Sequence, residues 1–200
     1  MKKYSLKDLE GKCIKDKRGG SRNIHSWDID YKGKVTREQK KLLGSLLRKR
    51  RSKEWAVQKG IDWMDGMPFT LKEIKTFYES KTLKEDLEDL VSKGYLRFEH
   101  PKKKVIHKGV SKREFDLTKP PGYNIVTGKL SFPIMTIIDP KGCAPTIVAT
   151  EAGKIAVVTS SSLRKITVRE GLRFSGYPDS YKIDSISYKV TKTLHFDSCR

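Results

Sequence analysis

The sequence contains few cysteines, and their placement excludes two classes of protein. The three residues, Cys13, Cys143 and Cys199, are odd in number and widely separated. None of them belongs to a Cys-x-x-Cys or Cys/His spacing typical of metal ligands. The sequence therefore predicts neither a disulfide framework nor a metal site, and it favours a reducing, cytoplasmic environment.

Long apolar runs are also missing from the sequence. No run approaches the roughly 18 residues that cross a membrane as a helix. The basic N-terminus is not followed by the apolar core of a secretion signal. We therefore expect a protein that is neither secreted nor embedded in a membrane.

Acidic residues are scarce relative to basic ones. Lys and Arg number 43 against 24 Asp and Glu, which gives a net charge of +19 and an isoelectric point near 9.8. The first sixty residues alone hold 19 basic and 7 acidic residues. Such an excess attracts polyanions, so the sequence predicts a nucleic-acid partner, with a merely solvated basic surface as the alternative.

Four predicted helices begin in the same way, with a Thr that caps the helix and a Glu or Gln three residues later that returns the hydrogen bond. The four pairs are Thr36/Gln39, Thr70/Glu73, Thr82/Glu85 and Thr167/Glu170. The first helix is expected to run to Gly60, and its basic middle contains Arg50 and Arg51. These two side chains are candidate phosphate contacts, although a solvated helix face accounts for them equally well.

The second and third helices are followed by Gly94 and a short strand, residues 95–98. This order resembles the end of a winged-helix unit, in which the second helix often enters a DNA groove. Here that helix, residues 82–94, is acidic. An acidic surface repels phosphates, which favours a structural role over groove reading.

Short β-type runs dominate the C-terminal half. They cover residues 123–126, 129–138, 146–150 and 155–158, and a final helix covers 167–174. The sequence thus predicts an α+β fold, with a helical, winged-helix-like N-terminal part followed by a small β-rich module and a C-terminal helix. The expected boundaries are 1–105 for the helical part, 106–122 for a linker or loop, 123–183 for the β-rich module and 184–200 for a divergent tail.

The segment RKITVREGLRFSGYPDSY, residues 164–181, carries a long and ordered motif. It combines a helix with a Gly-Tyr-Pro-Asp turn, and its defining residues are Arg164, Thr167, Glu170, Arg173, Gly176 and Pro178. This closely resembles the ninth motif of bacterial cytosine-5 DNA methyltransferases. The resemblance implies that the helix braces the target-recognition domain, to which the helical N-terminal part also belongs, and that Glu170 has no catalytic role.

A second segment supports the same resemblance. Residues 144–150, APTIVAT, lie where the family has a Thr followed by an aliphatic residue in its recognition domain. The resemblance implies that the Thr146 hydroxyl donates to the DNA backbone near the target base, with Ile147 packed behind it. An ordinary strand Thr is the alternative interpretation.

Three further stretches, residues 18–30, 60–71 and 122–132, also look like one subgroup of these recognition regions. Arg18, which precedes two glycines, is a candidate phosphate contact, and a plain loop is equally plausible. His25 and Trp27 are expected to form a packing pair rather than a site.

The catalytic residues of that family are missing from the 200 residues. Cytosine-5 methylation needs a Cys nucleophile in a Pro-Cys motif, a Glu that binds the flipped base and a Gly-containing site for S-adenosylmethionine. None is found, and Cys143 is interpreted as a structural thiol. We therefore expect no catalytic residue and no cofactor bound by this chain alone, with S-adenosylmethionine used by the complete enzyme.

Together these observations favour a target-recognition fragment or subunit of a DNA (cytosine-5-)-methyltransferase from a restriction-modification system. It would bind double-stranded DNA, require a separate catalytic part or subunit for methyl transfer, and reside in the bacterial cytoplasm. The family's final motif is not found after residue 183, which fits a truncated product or a divergent end. The alternative function is a free-standing winged-helix DNA-binding regulator.

Overall fold

The computed structural model describes residues 4–16, 20, 22–62, 66–127, 133–143, 145–147 and 152–182. They divide into two compact units. The first unit contains Asp16 and the described residues from 25 to 127, and the second combines the remaining residues before 25 with those after 132. This division differs from the predicted boundaries, because the N-terminal residues pair with strands from the C-terminal half.

Four helices build most of the first unit. They are α1 (Arg37–Lys49), α2 (Lys53–Lys59), α3 (Leu71–Lys75) and α4 (Leu83–Ser92). Apolar side chains from all four pack into one core whose members include Leu42, Leu43, Leu46, Ala56, Phe69, Ile74, Leu87 and Leu90. The stripe of leucines on α1 supplies the periodicity that predicts this helix from sequence.

The prediction of a single helix from Thr36 to Gly60 is wrong at residues 50–52, where the structure has a break between two helices. Arg50 ends α1, and Ser52 is extended, with a ψ of 127°, before α2 begins. The backbone carbonyl of Arg50 accepts a hydrogen bond from the Met67 amide at 2.9 Å, a long-range contact that sequence periodicity does not reveal. Gly60 ends α2 in the left-handed conformation, as its position after the helix predicts.

Three of the four predicted capping boxes are confirmed, at Thr36/Gln39, Thr70/Glu73 and Thr167/Glu170. The box predicted for Thr82 and Glu85 is wrong. Thr82 has a φ of −104° and a ψ of 21°, outside the extended conformation that a capping side chain needs. Its hydroxyl instead donates to the Asp86 carboxylate at 2.8 Å.

The first unit also contains two small antiparallel sheets. One pairs β3 (Leu96–Glu99) with β6 (Gly122–Ile125), and Phe69 forms a bridge to Tyr123 at its edge. Both strands lie within one residue of their predicted positions. The other sheet is a hairpin of β4 (Lys102–His107) and β5 (Val110–Phe115), in the stretch for which the sequence predicts a linker or loop.

The second unit is built on a five-stranded sheet in the order β2-β1-β7-β8-β9. Its strands are β1 (Cys13–Ile14), β2 (Asn23–Ile24), β7 (Thr136–Ile137), β8 (Ile155–Val158) and β9 (Leu163–Lys165). The β1–β2 and β7–β8 pairs are parallel, and the β1–β7 and β8–β9 pairs are antiparallel. The buried residues of this unit include Ile14, Ile24, Ile137, Ile155 and Ile166.

The C-terminal predictions have different outcomes. The strand at 155–158 and the helix α5 (Val168–Phe174), capped by Thr167, are confirmed. Of the strand predicted over 129–138, the described residues form only Thr136–Ile137, and residues 129–132 lie outside the described part. Residues 146 and 147 are not in a strand, and the rest of that predicted run, 148–150, also lies outside.

The mixed α+β class is confirmed, while the winged-helix-like assignment stays a prediction. Within the described ranges, no helix is long and apolar enough to cross a membrane. The predicted tail, residues 184–200, lies outside the described residues.

Candidate nucleic-acid interface

A bidentate ion pair links helix α5 to strand β9, which precedes it in the chain. The guanidinium of Arg164 donates to both carboxylate oxygens of Glu170, at 2.7 and 2.9 Å. The Thr167 amide donates to the same carboxylate at 2.7 Å. These bonds, first from Arg164 and then from Thr167, lower the pKa of Glu170 to about 2. Glu170 is therefore a fixed anion that organises the start of α5.

The turn after α5 is fixed by two arginines on that helix. Arg173 donates to both carboxylate oxygens of Asp179, at 2.7 and 3.1 Å. Arg169 donates to the backbone carbonyls of Asp179 and Tyr181. Gly176, with a φ of 81°, turns the chain so that the Tyr177 amide donates to the Leu172 carbonyl. The charged groups of the motif are thus engaged with one another.

Pro178 completes this turn, since its carbonyl accepts a hydrogen bond from the Tyr181 amide at 3.0 Å. The rings of Tyr177 and Tyr181 lie 4.7 Å apart between centroids. The motif residues described above therefore stabilise the helix and its exit through contacts within residues 164–181.

The predicted DNA-contact residues lie in contrasting environments. Thr146 is exposed, and its hydroxyl makes no hydrogen bond to any described residue. Ile147 beside it is half-buried. Arg51 is exposed, and Arg18 lies outside the described residues. Thr146 and Arg51 belong to different units, so each is a separate candidate contact.

Arg50 differs from its neighbour because it is buried, with only 8% of its surface exposed. Burial lowers the pKa of its guanidinium to about 10. A Cβ at Gly66 would collide with that guanidinium, so the glycine leaves the space that Arg50 occupies. Contact of Arg50 with phosphate stays a prediction, and it would require this side chain to leave its buried position.

The β4–β5 hairpin is a basic element that the sequence prediction missed. Its two-residue turn has positive φ at both Lys108 (48°) and Gly109 (79°), the conformation of a type I′ turn. Residues 102–115 contain six Lys and Arg and a single acidic residue, Glu114. Both strands are exposed along their length, apart from the half-buried Val105. The hairpin therefore presents a dense positive charge to solvent.

The base of the hairpin is anchored to the first unit. The Asp116 amide donates to the Pro101 carbonyl at 2.8 Å, and the Asp116 carboxylate pairs with Lys103 at 3.2 Å. Arg113 reaches Asp62 at 3.0 Å. These contacts anchor the base of the hairpin in the fold, while the residues of its tip, 106–111, are exposed.

The signal for this hairpin was present in the sequence as Val-Ile-His-Lys-Gly-Val, residues 105–110. A residue pair ending in Gly between β-branched residues is a hairpin signal, although Lys is an uncommon first member of the pair. Apolar alternation is absent because neither face of the ribbon is buried. That absence makes the segment look like a loop.

Two other polar features are structural. His25 and Trp27 stack with centroids 4.5 Å apart, which confirms the predicted packing pair. Nearby, buried Asp16 accepts hydrogen bonds from the backbone and the hydroxyl of Ser26, at 2.8 and 2.7 Å. Burial raises the pKa of Asp16 despite these bonds.

One cleft of about 450 Å³ lies in the first unit, and its lining includes Trp55, Lys59, Glu73 and Pro120. Of its three lysines, Lys59 contacts both carboxylate oxygens of Glu73 at 2.6 Å, and Lys119 donates to the backbone carbonyl of Lys59 at the same distance. Among the residues that the structure describes, no three His, Cys, Asp or Glu side chains are grouped to hold a metal ion.

Comparison with known proteins gives matches to part of several longer sequences. The chain is 52% identical over 184 residues to the type II methyltransferase M.NlaIV of Neisseria lactamica, covering 92% of this chain and 43% of that protein. It is 50% identical to M.NgoBV of Neisseria gonorrhoeae with the same coverage. It is 33% identical to M.HgiCI of Herpetosiphon aurantiacus, covering 90% of this chain and 38% of that protein.

No family model matches the sequence, and no solved structure matches it. The chain spans less than half the length of the curated relatives that it matches. Nine-tenths of it is therefore similar to one portion of type II methyltransferases.

Proposed function

We propose that this chain is the target-recognition portion of a DNA (cytosine-5-)-methyltransferase from a restriction-modification system, and that it binds double-stranded DNA. The observation that carries the proposal is the similarity of nine-tenths of the chain to less than half of each type II methyltransferase. The 200 residues contain no Pro-Cys pair. Methyl transfer is therefore assigned to residues outside them, on the same polypeptide or on a separate catalytic subunit.

The cytosine-5 type is supported by the motif at residues 164–181. Its arginines are bound to carboxylates and carbonyls of the same segment, at Glu170, Asp179 and Tyr181. Charged groups that are bound to one another in this way fit a structural role better than a reaction with a substrate. This is the role expected of the ninth motif in cytosine-5 methyltransferases.

Binding of duplex DNA is supported by charge. The net charge of +19 creates an attractive field for a polyanion. Exposed Thr146 offers a hydroxyl that has no hydrogen-bond partner among the described residues and is suited to a phosphate oxygen, and exposed Arg51 offers a charged donor. The proposed DNA contacts therefore include Thr146, with Ile147 next to it in sequence, and the arginines Arg51 and Arg18.

The methyl donor implied by the proposal is S-adenosylmethionine. The cleft beside Trp55 does not fit it well, because its lining contains three lysines and a single carboxylate, Glu73, which already binds Lys59 and is not free for the amino group of the methyl donor. We assign no cofactor contact to the described residues. Binding of S-adenosylmethionine is left to the catalytic part.

A winged-helix arrangement of the first unit is supported by its element order. Helix α1, the Phe69 bridge, helices α3 and α4, and strands β3 and β6 follow one another as they do in that fold. The same order favours a second candidate function, a free-standing DNA-binding regulator. The similarity to methyltransferases favours the first candidate.

Segment exchange tests the proposal. The 184 matched residues of M.NlaIV would be replaced by those of this chain, and transfer of labelled methyl groups from S-adenosylmethionine to duplex DNA would be measured. The proposal predicts an active chimera whose methylated sites are set by the inserted segment, and no transfer by the chain alone. A chimera that unfolds as cooperatively as its parent yet transfers no methyl group to any duplex, including duplexes with a randomised centre, would contradict it.

A further inference from the structure

Several apolar side chains of the β4–β5 hairpin are exposed to solvent, which is unfavourable unless a partner covers them. Ile106 is 69% exposed, Val110 59% and Phe115 50%. An isolated two-stranded hairpin is marginally stable in water, and uncovered β-branched residues normally mark an interaction surface. The high local positive charge limits the partner to one that is strongly negative.

The two faces of the hairpin differ in charge. Directly opposed residues share a face, so the register defines a Lys104 face, which consists of Lys102, Lys104, Ile106, Ser111, Arg113 and Phe115. The other face, the Glu114 face, consists of Lys103, Val105, His107, Val110, Lys112 and Glu114. The Lys104 face carries three basic residues and no acidic one.

The Glu114 face is partly neutralised. His107 is bonded to Glu114 at 2.8 Å, and Lys103 is paired with Asp116 at 3.2 Å. On the Lys104 face, Lys104 makes no ion pair with any described residue, and Lys102 lies over the ring of Phe115 at 5.4 Å. Arg113 on this face is paired with Asp62, so Lys102 and Lys104 are its two cations without a carboxylate partner among the described residues, against Lys112 on the Glu114 face.

Helix α4 has the opposite character. Its ten residues include Glu85, Asp86, Glu88 and Asp89 and a single basic residue, Lys84. In a winged-helix unit this helix commonly enters the DNA groove. Four carboxylates would be repelled by the phosphates, so the electrostatics favour the hairpin as the DNA-contacting element of this unit.

We infer that the β4–β5 hairpin lies in the major groove of duplex DNA with its Lys104 face toward the nucleic acid. This inference rests on the proposed function. The major groove of B-form DNA, about 12 Å wide, admits a two-stranded β-ribbon. Lys102 and Lys104 contact phosphates or guanine edges, and exposed Ile106 is suited to a thymine methyl group. The narrow major groove of an A-form RNA duplex excludes such a ribbon.

The test compares two charge-matched double variants of the 200-residue chain. Lys102→Gln/Lys104→Gln neutralises the Lys104 face, and Lys81→Gln/Lys84→Gln removes the same charge beside and on the acidic helix α4. Fluorescence anisotropy measures binding to a DNA duplex with a randomised centre and to an RNA duplex of the same length, over a range of salt. If the double variant unfolds more readily than the control, the single variant Lys104→Gln replaces it in the binding assay. Lys104 makes no ion pair with any described residue, so its substitution should not disturb the fold.

The expected result is a loss of DNA affinity of about tenfold or more for the hairpin variant, with a salt slope about one to two units shallower, and little change for the control. The RNA duplex should bind both variants equally. If the wild-type chain binds DNA and the hairpin variant binds it no more weakly than the control, the hairpin inference is overturned while the proposed function stands. An equal loss on the RNA duplex overturns groove insertion. A wild-type chain that binds no duplex DNA overturns the proposed function itself.

Discussion

Lys104 and Arg113 lie directly opposite each other in the antiparallel register of the β4–β5 hairpin. Arg113 is paired with Asp62 at 3.0 Å, whereas Lys104 has no acidic partner among the described residues. Like charges placed directly across two strands destabilise a sheet. The arrangement therefore costs folding stability, which is understandable if the charge serves binding.

This relationship predicts a gain in stability from Lys104→Gln. Removing one of two opposed charges should raise the free energy of unfolding by about 0.2–1 kcal/mol. Lys112→Gln is the matched control, since Lys112 lies opposite Val105 and should leave stability unchanged. Urea denaturation of both variants provides the measurement, and a lower stability for Lys104→Gln would show that the side chain supports the fold.

Glu170→Gln should destabilise the second unit. The substitution weakens the bonds from Arg164 and Thr167, which are charge-assisted but largely exposed to solvent, so we expect a loss of about 1 kcal/mol. Glu85→Gln is the control, because Glu85 occupies the same position in α4 but forms no capping box. Equal effects of the two substitutions on the free energy of unfolding would argue against the bracing role of the Arg164–Glu170 pair.

The same carboxylate predicts an acid dependence of stability. Its pKa falls from an ordinary 4.5 to about 2 on folding, so its contribution is fully present above 4.5 and disappears as the pH falls through about 2. The difference in unfolding free energy between the wild type and Glu170→Gln should therefore be constant above pH 4.5 and shrink in more acidic solution. Urea titrations at a series of pH values measure it. A difference that grows on acidification would contradict the assigned direction.

Thr146→Val is expected to separate binding from folding. The hydroxyl makes no bond to a described residue, so its removal should leave the unfolding transition unchanged. If the Thr146 hydroxyl donates to a DNA phosphate, its removal should make the free energy of duplex binding less favourable by about 1–2 kcal/mol. Thr76→Val, at an exposed Thr whose hydroxyl is already bonded to the Glu73 carbonyl, is the control for binding. Unchanged affinity in Thr146→Val would leave the ordinary-Thr interpretation.

Two Gly→Ala substitutions should have opposite effects. Gly44 lies inside α1 with no atom within 4 Å of an added Cβ, so Ala should stabilise the protein by about 1 kcal/mol. At Gly122 a Cβ would lie 2.5 Å from the backbone carbonyl of Phe69, and the strand would have to move. Thermal unfolding of both variants is the measurement. A melting temperature that Gly122→Ala does not lower would show that the backbones of Gly122 and Phe69 are not in such close contact.

Local signals in the sequence predicted the elements whose stability is local. The start of α5 could be located because Thr167 and Glu170 act on neighbouring residues of the same turn. The break at Arg50 could not, since it depends on a backbone bond to Met67 from another part of the chain. The pairing of β1 with β7 also joins distant parts of the chain. It was missed in addition because a strand of two residues is too short to show an alternation of apolar and polar residues.

The candidate interface was predictable only in part. The motif at residues 164–181 was assigned a structural role from its resemblance to a family motif, and its ion pairs join residues that lie close together in sequence. The hairpin could not be found from apolar alternation, which arises when one face of a strand is buried and is absent when both are exposed. The burial of Arg50, next to exposed Arg51, depends on the space left by Gly66.

The most direct measurement is binding of the 200-residue chain itself to a labelled DNA duplex as a function of salt. We expect saturable binding at about 50 mM salt and a steep fall in affinity by about 200 mM, because each neutralised phosphate contributes a slope of roughly −0.9 in log K against log salt. A chain that shows a cooperative unfolding transition but no duplex binding at the lower salt would contradict it.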